Sequence, residues 1–317
     1  MMSIIVRSAV FALATVVSSA LFAQTYPSKP IHVIIGAGAG GATDVVARLV
    51  SDEAGKRLGQ PMIVENRVGA GGLIAAQAVR SSAPDGYTLF GGSGTPFTSV
   101  FLKTNNMDIS KDLQPVSLMS LGDQFVFVRS DLGVTNMEQL AAKAKTTRLK
   151  HASVFTTQEI LVAILAKQAG GMEYDNIPFK ANDQALSCMA NGDCDFYINS
   201  SPASAAFIQS GKVRVIATLA AGRSPLQPNV PTLKEQGYNF DFRFNLGLWT
   251  VLGTPADAVA KLGAAVAAAV KVPTVAERIL ALGIVATAST PEELVRAHQA
   301  EVRMWTEGAA LTKYQPQ

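Results

Sequence analysis

The stretch Ile31–Asp44, with the sequence IHVIIGAGAGGATD, decides the fold. Its first five residues are mostly apolar, which is typical of a short strand buried on both faces. Four glycines follow within six residues, and Thr43 and Asp44 then open a segment with apolar residues at helical spacing. A strand, a glycine loop and a helix start place unpaired backbone N–H groups and the positive end of the helix dipole together. The sequence therefore predicts a pocket for an anion at this turn.

The N-terminus carries the features of a secretory signal peptide over residues 1–23. Arg7 precedes the uncharged apolar segment Ser8–Leu21, and small residues allow cleavage after Ala20 or after Ala23. A membrane anchor is the weaker alternative, because the apolar segment is short for a span. We expect a mature protein that is soluble outside the cytoplasm.

Charge and composition exclude some classes of partner. Hydrophobic residues make up 48% and charged residues 16% of the chain, as in a globular protein. Removing the signal peptide lowers the net charge from +3 to +2. Because no Lys/Arg cluster is interleaved with aromatic residues, nucleic acid is not an expected partner.

The length of 317 residues suits two domains. Up to about Asp123, predicted strands and helices alternate, which indicates a parallel, helix-covered sheet. These elements are strands at Ile31–Ile35, Met62–Glu65 and Tyr87–Gly91, and helices at Ala42–Leu58 and Gly72–Ser82. The α/β pattern starts afresh at about Gln124, and three helices after Leu246 have nothing to cover unless they pack on the first unit. We predict one lobe from 25–123 with 245–317, a second from 124–244, and a hinge of two crossovers near Asp123 and Phe244 with the ligand between the lobes.

The two cysteines of the chain are Cys188 and Cys194. They flank a predicted turn between a helix end and a strand start, and in an oxidising compartment they can form a disulfide. Two separate buried thiols are the alternative, because spacing alone does not fix the geometry of a bridge.

Signals for an enzyme are weak. The histidines His32, His151 and His298 have no metal-ligand partner at a useful spacing, so we interpret them as packed or surface residues. The sequence GGSGT at Gly91–Thr95 resembles a nucleophile elbow but lacks the last glycine, which favours Ser93 as a hydrogen-bond donor. We predict no catalytic residue, no metal site and no cofactor.

A dinucleotide-binding enzyme is a remote alternative. Gly36, Gly38 and Gly41 match G-x-G-x-x-G, and the next predicted strand ends in the acid Glu65, near the place of a ribose-binding residue. Three observations oppose an NAD(P)-dependent enzyme: the export signal, the negative Asp44 in the first helical turn, which would repel a pyrophosphate, and the lack of a catalytic acid or base downstream.

Several motifs resemble the Bug receptors, the periplasmic substrate-binding proteins of tripartite tricarboxylate transporters (TctC-like proteins). The resemblance spans the mature chain, and the motifs are Tyr26–Ile31 (YPSKPI), Gly40–Asp44 (GGATD), Val64–Arg67 (VENR), Gly69–Gly72 (GAGG), Ala83–Leu89 (APDGYTL), Arg223–Pro225 (RSP), Val230–Thr232 (VPT) and Gly253–Pro255 (GTP). It implies a two-lobed periplasmic binding protein of the type II-like α/β class, with two parallel or mixed sheets, flanking helices and a hinge. It also implies a solute-binding protein that closes on a carboxylate and presents it to a membrane permease.

The loops at the predicted strand ends, together with this resemblance, indicate the ligand-binding residues. In the first lobe we expect backbone N–H groups and hydroxyls to hold a carboxylate, and in the second lobe polar and aromatic residues to hold the far end of the ligand. The first-lobe residues are Gly38, Ala39, Gly40, Gly41, Ala42, Thr43, Asp44, Ser93, Gly94 and Thr95. The second-lobe residues are Phe155, Thr156, Thr157, Phe179, Lys180, Asn199 and Ser200.

Departures from the family pattern bear on the identity of the ligand. The first loop, Gly36–Ala39, lacks the bulky Phe and Pro residues that the family usually has there, which leaves room for a ligand or for side chains such as Phe155 and Phe179. Asn199 replaces a family Asp, and the loss of that anion disfavours an amine-bearing ligand. We expect a dicarboxylate, possibly an aromatic one such as a phthalate that stacks on the two phenylalanines. An aliphatic di- or tricarboxylate of the citrate kind is the alternative.

Two classes of partner remain open from the sequence. The binding protein can serve the permease subunits of a transporter, or it can serve a sensor. Since no large oligomerisation interface is visible in the sequence, we expect a monomer.

Overall fold

The computed structural model of the chain describes residues 26–92, 107–154, 156–200 and 205–312. The predicted signal peptide and the predicted site residues Ser93, Gly94, Thr95 and Phe155 therefore lie outside the described residues. At Thr156 only the backbone is described.

Eleven strands and ten α-helices occur in the described residues. The strands are β1 (Ile31–Ile35), β2 (Met62–Asn66), β3 (Thr88–Gly92), β4 (Leu113–Asp123), β5 (Phe125–Arg129), β6 (Leu149–Ser153), β7 (Tyr174–Pro178), β8 (Phe196–Asn199), β9 (Val213–Thr218), β10 (Arg243–Val251) and β11 (Ile284–Ala286). The helices are α1 (Ala42–Leu58), α2 (Leu73–Arg80), α3 (Ile109–Asp112), α4 (Met137–Ala144), α5 (Thr156–Gln168), α6 (Asn182–Ala190), α7 (Ala205–Gln209), α8 (Ala256–Ala269), α9 (Pro273–Leu280) and α10 (Pro291–Thr312).

The first sheet has six strands in the order β11-β4-β10-β3-β1-β2. The neighbours β2, β1 and β3 are parallel, whereas β10 runs antiparallel to both β3 and β4. The apolar residues of β1 are buried, and α1 and α8 cover one face of the sheet in one hydrophobic core. Strand β1 and helix α1 have the predicted limits, because glycines at positions 41 and 59 bound the helix.

The second sheet has five strands in the order β7-β6-β8-β5-β9. Strand β6 is parallel to β7 and β8, and β5 is antiparallel to β8 and β9. Both sheets are thus mixed. Asn136 is the N-cap of helix α4, and its side chain accepts from the backbone N–H of Gln139 at 2.8 Å.

The chain passes between the two sheets at two neighbouring points. Strand β4 ends at Asp123 and β5 begins at Phe125, while the return passage ends where β10 begins at Arg243. Asp123 and Arg243 are partners in the β4–β10 ladder, so the two passages lie side by side. This arrangement is what a hinge requires, and the exact limits of the lobes stay a prediction.

Helix α10 contributes to the cores on both sides of the hinge. Leu294, near its start, is buried in a core of the first sheet with Trp249. Trp305, two turns from its end, is buried in the core of the second sheet with Phe242. Gly308 packs so closely on α5 that an added Cβ would lie 2.0 Å from Ile160 Cγ2. Helix α10 therefore packs on both lobes, although the sequence pattern assigned it to the first lobe.

Cys188 and Cys194 form a disulfide, with their Cα atoms 5.3 Å apart. The bridge links the end of α6 to the residues before β8, and Cys194 is fully buried. Of the two alternatives left open by the spacing, the structure has the bridge.

The described residues include no single helix that is long and apolar enough to cross a membrane. The pair α8 and α9 meets the length and composition criteria together, but it is bent by 74°. Many of its apolar side chains are buried in the core of the first sheet.

Candidate functional site

The strand ends of the first sheet bring three loops together on the side of the hinge. Ile35, the last residue of β1, is in register with Asn66 of β2 and with Gly91 of β3. The loops that follow these strands therefore start next to one another. Because Gly92 is paired with Gly247 of β10, which is only a few residues from the passage at Arg243, this edge of the sheet faces the hinge.

The second sheet has the same arrangement. Ser153 of β6 is in register with Pro178 of β7, so the predicted residues after these strands share one edge. Asn199, the last residue of β8, is paired with Phe125, which directly follows the passage at Gln124. In both sheets, the loops that carry the predicted ligand-binding residues therefore lie at the edge nearest the hinge, as expected for a cleft between two lobes.

The first loop presents backbone donors to the solvent. The predicted residues Gly38, Ala39, Gly40, Gly41 and Ala42 are exposed, and Thr43 is half-buried. Helix α1 has no side-chain cap, and the N–H groups of Ala42 and Thr43 have no acceptor among the described residues. The N-terminus of this 17-residue helix therefore presents N–H donors and a partial positive charge to the solvent.

The backbone conformation of this loop requires a glycine at position 40. Its φ is +79°, in the left-handed region that favours glycine. An added Cβ there would meet nothing within 4 Å, so the constraint is the backbone angle and not the available space. A side chain would be strained at this position even though the loop is open.

Asp44 was predicted among the ligand-binding residues, and the structure places its carboxylate inside the protein. The side chain accepts from the N–H of Gly40 at 2.9 Å, from Arg48 Nε at 3.1 Å and from Asn66 Nδ2 at 2.8 Å. Asn66 also donates to the carbonyl of Ala37 at 2.9 Å and accepts from Arg48 at 2.8 Å. We call Asp44, Arg48 and Asn66 the loop brace, because their hydrogen bonds together connect the first loop, α1 and the end of β2.

The loop brace is a charge-paired group. Hydrogen bonding to Arg48 is the main cause that lowers the pKa of Asp44 to about 2, and the same contact raises the pKa of Arg48. The side chain of Asp44 is only 5% exposed. Asp44 is therefore ionised at neutral pH, and its charge is balanced inside the protein.

The second glycine loop, residues 66–72, packs directly on the first. An added Cβ at Gly36 would lie 2.2 Å from the Cα of Gly72. No side chain fits between the two backbones, so the approach depends on glycine. The two loops form one unit beside the N-terminus of α1.

In the second lobe, a hydrogen-bond network fixes the starts of α5 and α6. Tyr197 of β8 donates to Asn182 Oδ1 at 2.6 Å and accepts from Gln158 Nε2 at 3.2 Å. Gln158 also accepts from the N–H of Val154 at 2.9 Å. Burial raises the pKa of Tyr197 to about 12, so this hydroxyl stays protonated.

The predicted second-lobe residues differ in their exposure. Asn199 is 5% exposed, and its Nδ2 is buried without a hydrogen-bond partner in the described part of the chain. Phe179, Thr157 and Ser200 are half-buried, and Lys180 is exposed. A buried donor without an acceptor is costly, so Asn199 is suited to an acceptor on a bound molecule. The contact of these residues with a ligand stays a prediction.

The histidines are packed or paired residues in this structure. His151 and His298 are buried, and burial lowers the pKa of each to about 4, so both are neutral at pH 7. His32 contacts Glu65, which also pairs with Arg67 at 3.3 Å. Among the described residues, no three His, Cys, Asp or Glu side chains are grouped to hold a metal ion.

Sequence reasoning missed the residues that hold the loops in place. Arg48 lies four residues after Asp44 on one helix, a spacing that indicates an ion pair. Asn66 lies in a quoted motif, but its bond to Asp44 spans 22 positions and has no local signal. Gln158 and Tyr197 are 39 positions apart and were not singled out.

Solved structures with the same fold are two-lobed periplasmic binding proteins, which confirms the predicted fold class. A TctC solute-binding protein from Polaromonas matches with a TM-score of 0.84 at 24% identity, over 90% of this chain and 99% of that chain. MatC from Rhodopseudomonas palustris, solved with bound malate, matches with a TM-score of 0.66 at 29% identity, over 89% of this chain and 99% of that chain.

Sequence comparison identifies the family. BugT of Bordetella pertussis is 29% identical over 299 residues, which are 91% of this chain and 91% of BugT. The family model described as "Tripartite tricarboxylate transporter family receptor" matches residues 46–310. The predicted resemblance is confirmed: this chain belongs to the TctC family of tripartite tricarboxylate transporter receptors.

Proposed function

We propose that this protein is a periplasmic receptor that captures a dicarboxylate between its lobes and delivers it to the permease subunits of a tripartite tricarboxylate transporter. The observation that carries the proposal is the uncapped N-terminus of α1, where the N–H groups of Ala42 and Thr43 have no acceptor in the described part of the chain and lie beside an exposed glycine loop. Such a terminus binds a carboxylate without an arginine. The receptor acts as a monomer and performs no catalytic step.

The second lobe supports a ligand with a second acceptor group. The buried Nδ2 of Asn199 is a donor, and it stands where the family usually has an Asp. A carboxylate or carbonyl oxygen satisfies this donor, whereas the ammonium group of an amino acid does not. A related receptor, MatC, has malate bound. These points favour a dicarboxylate over an amino acid.

The size and planarity of the ligand form the second part of the proposal. Small residues in the first loop, with Gly38 and Gly40 open to solvent, leave space for a ligand larger than malate. The half-buried ring of Phe179 follows β7 at the same edge as Asn199. An aromatic dicarboxylate such as a phthalate fits both features, and an aliphatic di- or tricarboxylate of the citrate kind is the alternative.

Two other functions compete with this proposal. Service to a sensor uses the same binding event, and only the partner differs. For an NAD(P)-dependent enzyme, the predicted repulsion by Asp44 no longer counts, because Arg48 balances that charge. Membership of a receptor family speaks against it instead.

A thermal-shift screen tests the ligand. The mature protein is heated with malate, succinate, citrate, phthalate and terephthalate, and with glutamate and aspartate as amine-bearing controls. A ligand at 100 times its Kd stabilises the native state by about 2.7 kcal/mol, which gives a clear shift. A shift with glutamate or aspartate and none with any di- or tricarboxylate would overturn the proposal.

Localisation and partner need separate measurements. Cell fractionation is expected to recover the protein from the periplasm at the mass of a chain without residues 1–23. Deletion of the cognate permease genes should abolish uptake of the ligand while the receptor still binds it. Uptake that is unchanged in such a deletion would favour the sensor.

A further inference from the structure

We propose that the loop brace of Asp44, Arg48 and Asn66 holds the first glycine loop in its anion-binding shape before the ligand arrives, so that Asp44 is a positioning residue and not a ligand contact. This inference rests on the proposed function, because it deepens the account of the same site. It assigns a role to two side chains, Arg48 and Asn66, that the sequence did not place in the site.

The bonding of Asp44 is the first support. Its buried carboxylate takes the N–H of Gly40, so this donor is used inside the protein and is not available to a ligand. The same bond fixes Gly40 at its φ of +79°. Fixing this peptide orients the next residues, Ala42 and Thr43, whose N–H groups have no acceptor within the residues that the structure describes. The loop thus meets the ligand already ordered, which lowers the entropy cost of binding.

The second support is the position of Asn66. Its amide joins the carbonyl of Ala37 on one side of the loop to the carboxylate of Asp44 on the other. The loop is therefore held at Ala37 and at Gly40, on either side of the exposed Gly38 and Ala39. Because Asn66 ends β2, the brace transfers the rigidity of the sheet to the loop.

The third support is charge. Asp44 lies in the first turn of α1, where an unbalanced carboxylate would repel an anionic ligand. Arg48 pairs with it at 2.9 Å and leaves the positive end of the helix effective. Loss of Arg48 should therefore weaken binding of a dianion more than binding of a monoanion, which a purely structural role would not do.

Amide exchange in the ligand-free protein tests the brace first. Asp44→Ala removes the acceptor of the Gly40 N–H, and its exchange is expected to become about tenfold faster or more. Asp44→Asn keeps an acceptor and should restore most of the protection. Arg57→Met is the matched control, since Arg57 lies on α1, pairs with Glu53 at 3.4 Å and is 45% exposed, as is Arg48. Unchanged exchange in Asp44→Ala would overturn the inference.

Binding of malate and of its monocarboxylate analogue 3-hydroxybutyrate completes the test by calorimetry. Asp44→Ala and Asn66→Ala should bind malate about tenfold more weakly, with partial recovery in Asp44→Asn. Arg48→Met should lose more affinity for malate than for 3-hydroxybutyrate, and Arg57→Met should match the wild type. If a variant with fast exchange of the Gly40 N–H binds malate as tightly as the wild type, the inference about the loop brace is overturned, whereas the proposed function still holds. Failure of the proposed function is distinguishable, because it appears in the wild type as binding of no carboxylate.

Discussion

Asp123 and Arg243 face each other where the chain passes between the lobes, with Arg243 Nε 2.7 Å from Asp123 Oδ1. The Asp123 side chain is fully buried. Within the described residues, neither carboxylate oxygen of Asp123 nor the Nε of Arg243 has a hydrogen bond of good geometry, so the contact is an ion pair without an aligned N–H. The buried carboxylate of Asp123 depends on the partly exposed Arg243 for its counter-charge.

Removing one partner should therefore be costly. Arg243→Met leaves the fully buried carboxylate of Asp123 without its counter-charge, and we expect a loss of about 3–5 kcal/mol in the free energy of unfolding. Lys56→Ala is the control, because the exposed Lys56 pairs with Glu53 at 3.1 Å on the surface of α1, and its loss should cost less than about 1 kcal/mol. Urea denaturation measures both. Equal, small losses in the two variants would show that the Asp123–Arg243 pair stabilises the fold no more than a surface ion pair does.

Glu301 should make stability depend on pH. It is buried on α10, accepts from Asn245 and Trp305, and burial raises its pKa to about 8. Its protonated form favours the native state, so this contribution is complete below the ordinary value of 4.5 and is lost as the pH rises through about 8. Thermal unfolding between these limits should show a fall in stability that Glu301→Gln reduces.

The matched control for this experiment lies on the same helix. Glu307 is 50% exposed and pairs with Lys167 at 3.5 Å. Glu307→Gln should keep the pH dependence of the wild type. Parallel stability–pH profiles for the wild type and Glu301→Gln would contradict the assignment of the dependence to Glu301.

The contact between the two glycine loops predicts contrasting effects of two similar substitutions. Gly36→Ala forces the Gly72 backbone away, and we expect a loss of about 1–3 kcal/mol together with weaker ligand binding. At Gly38 an added Cβ meets nothing within 4 Å, so Gly38→Ala should leave the melting temperature close to that of the wild type. Calorimetric unfolding of both variants checks this, and equal melting temperatures would argue against the contact.

Gly308 tests how α10 is attached to the second lobe. Gly308→Ala places a methyl group against Ile160, and overpacking of this kind costs about 1–3 kcal/mol. Ile160→Ala removes Cγ2, so adding Gly308→Ala to it should cost less than adding Gly308→Ala to the wild type. A double-mutant cycle by denaturant unfolding gives the coupling. Additive effects would mean that the two residues do not touch in solution.

The disulfide should stabilise the second lobe modestly. Cys188 and Cys194 are separated by 6 positions, and a loop this short corresponds to about 2 kcal/mol in the chain-entropy model. The double variant Cys188→Ala/Cys194→Ala should lose about that amount, and mild reductant should have the same effect on the wild type. Identical unfolding curves with and without reductant would contradict this expectation.

Elements with a clear periodicity and clear ends were predictable from the sequence. Strand β1 and helix α1 lie where the apolar run and the flanking glycines place them. Strand β4 was missed, because Pro115 and buried serines interrupt its pattern and its pairing with β10 contains two register shifts. The beginning of β10 has no clear signal in the sequence, because Arg243 and Asn245 are polar. Their burial depends on Asp123 and Glu301, which are distant in sequence.

The candidate site was predictable only in part. A glycine loop followed by a helix start is a local signal, and the helix begins at the predicted residue, Ala42. The orientation of Asp44 is not a local property, since the side chain can face a ligand or the protein from the same position. Arg48 and Asn66 decide between these orientations, and only the folded chain brings them together.

The position of Trp305 has a consequence for how the chain folds. The core of the second sheet is built from residues in the middle of the chain, yet it includes this side chain from the last helix. A nascent chain that lacks α10 would expose apolar surface on both sheets at once. The cores of both sheets are therefore complete only when this 22-residue helix is in place.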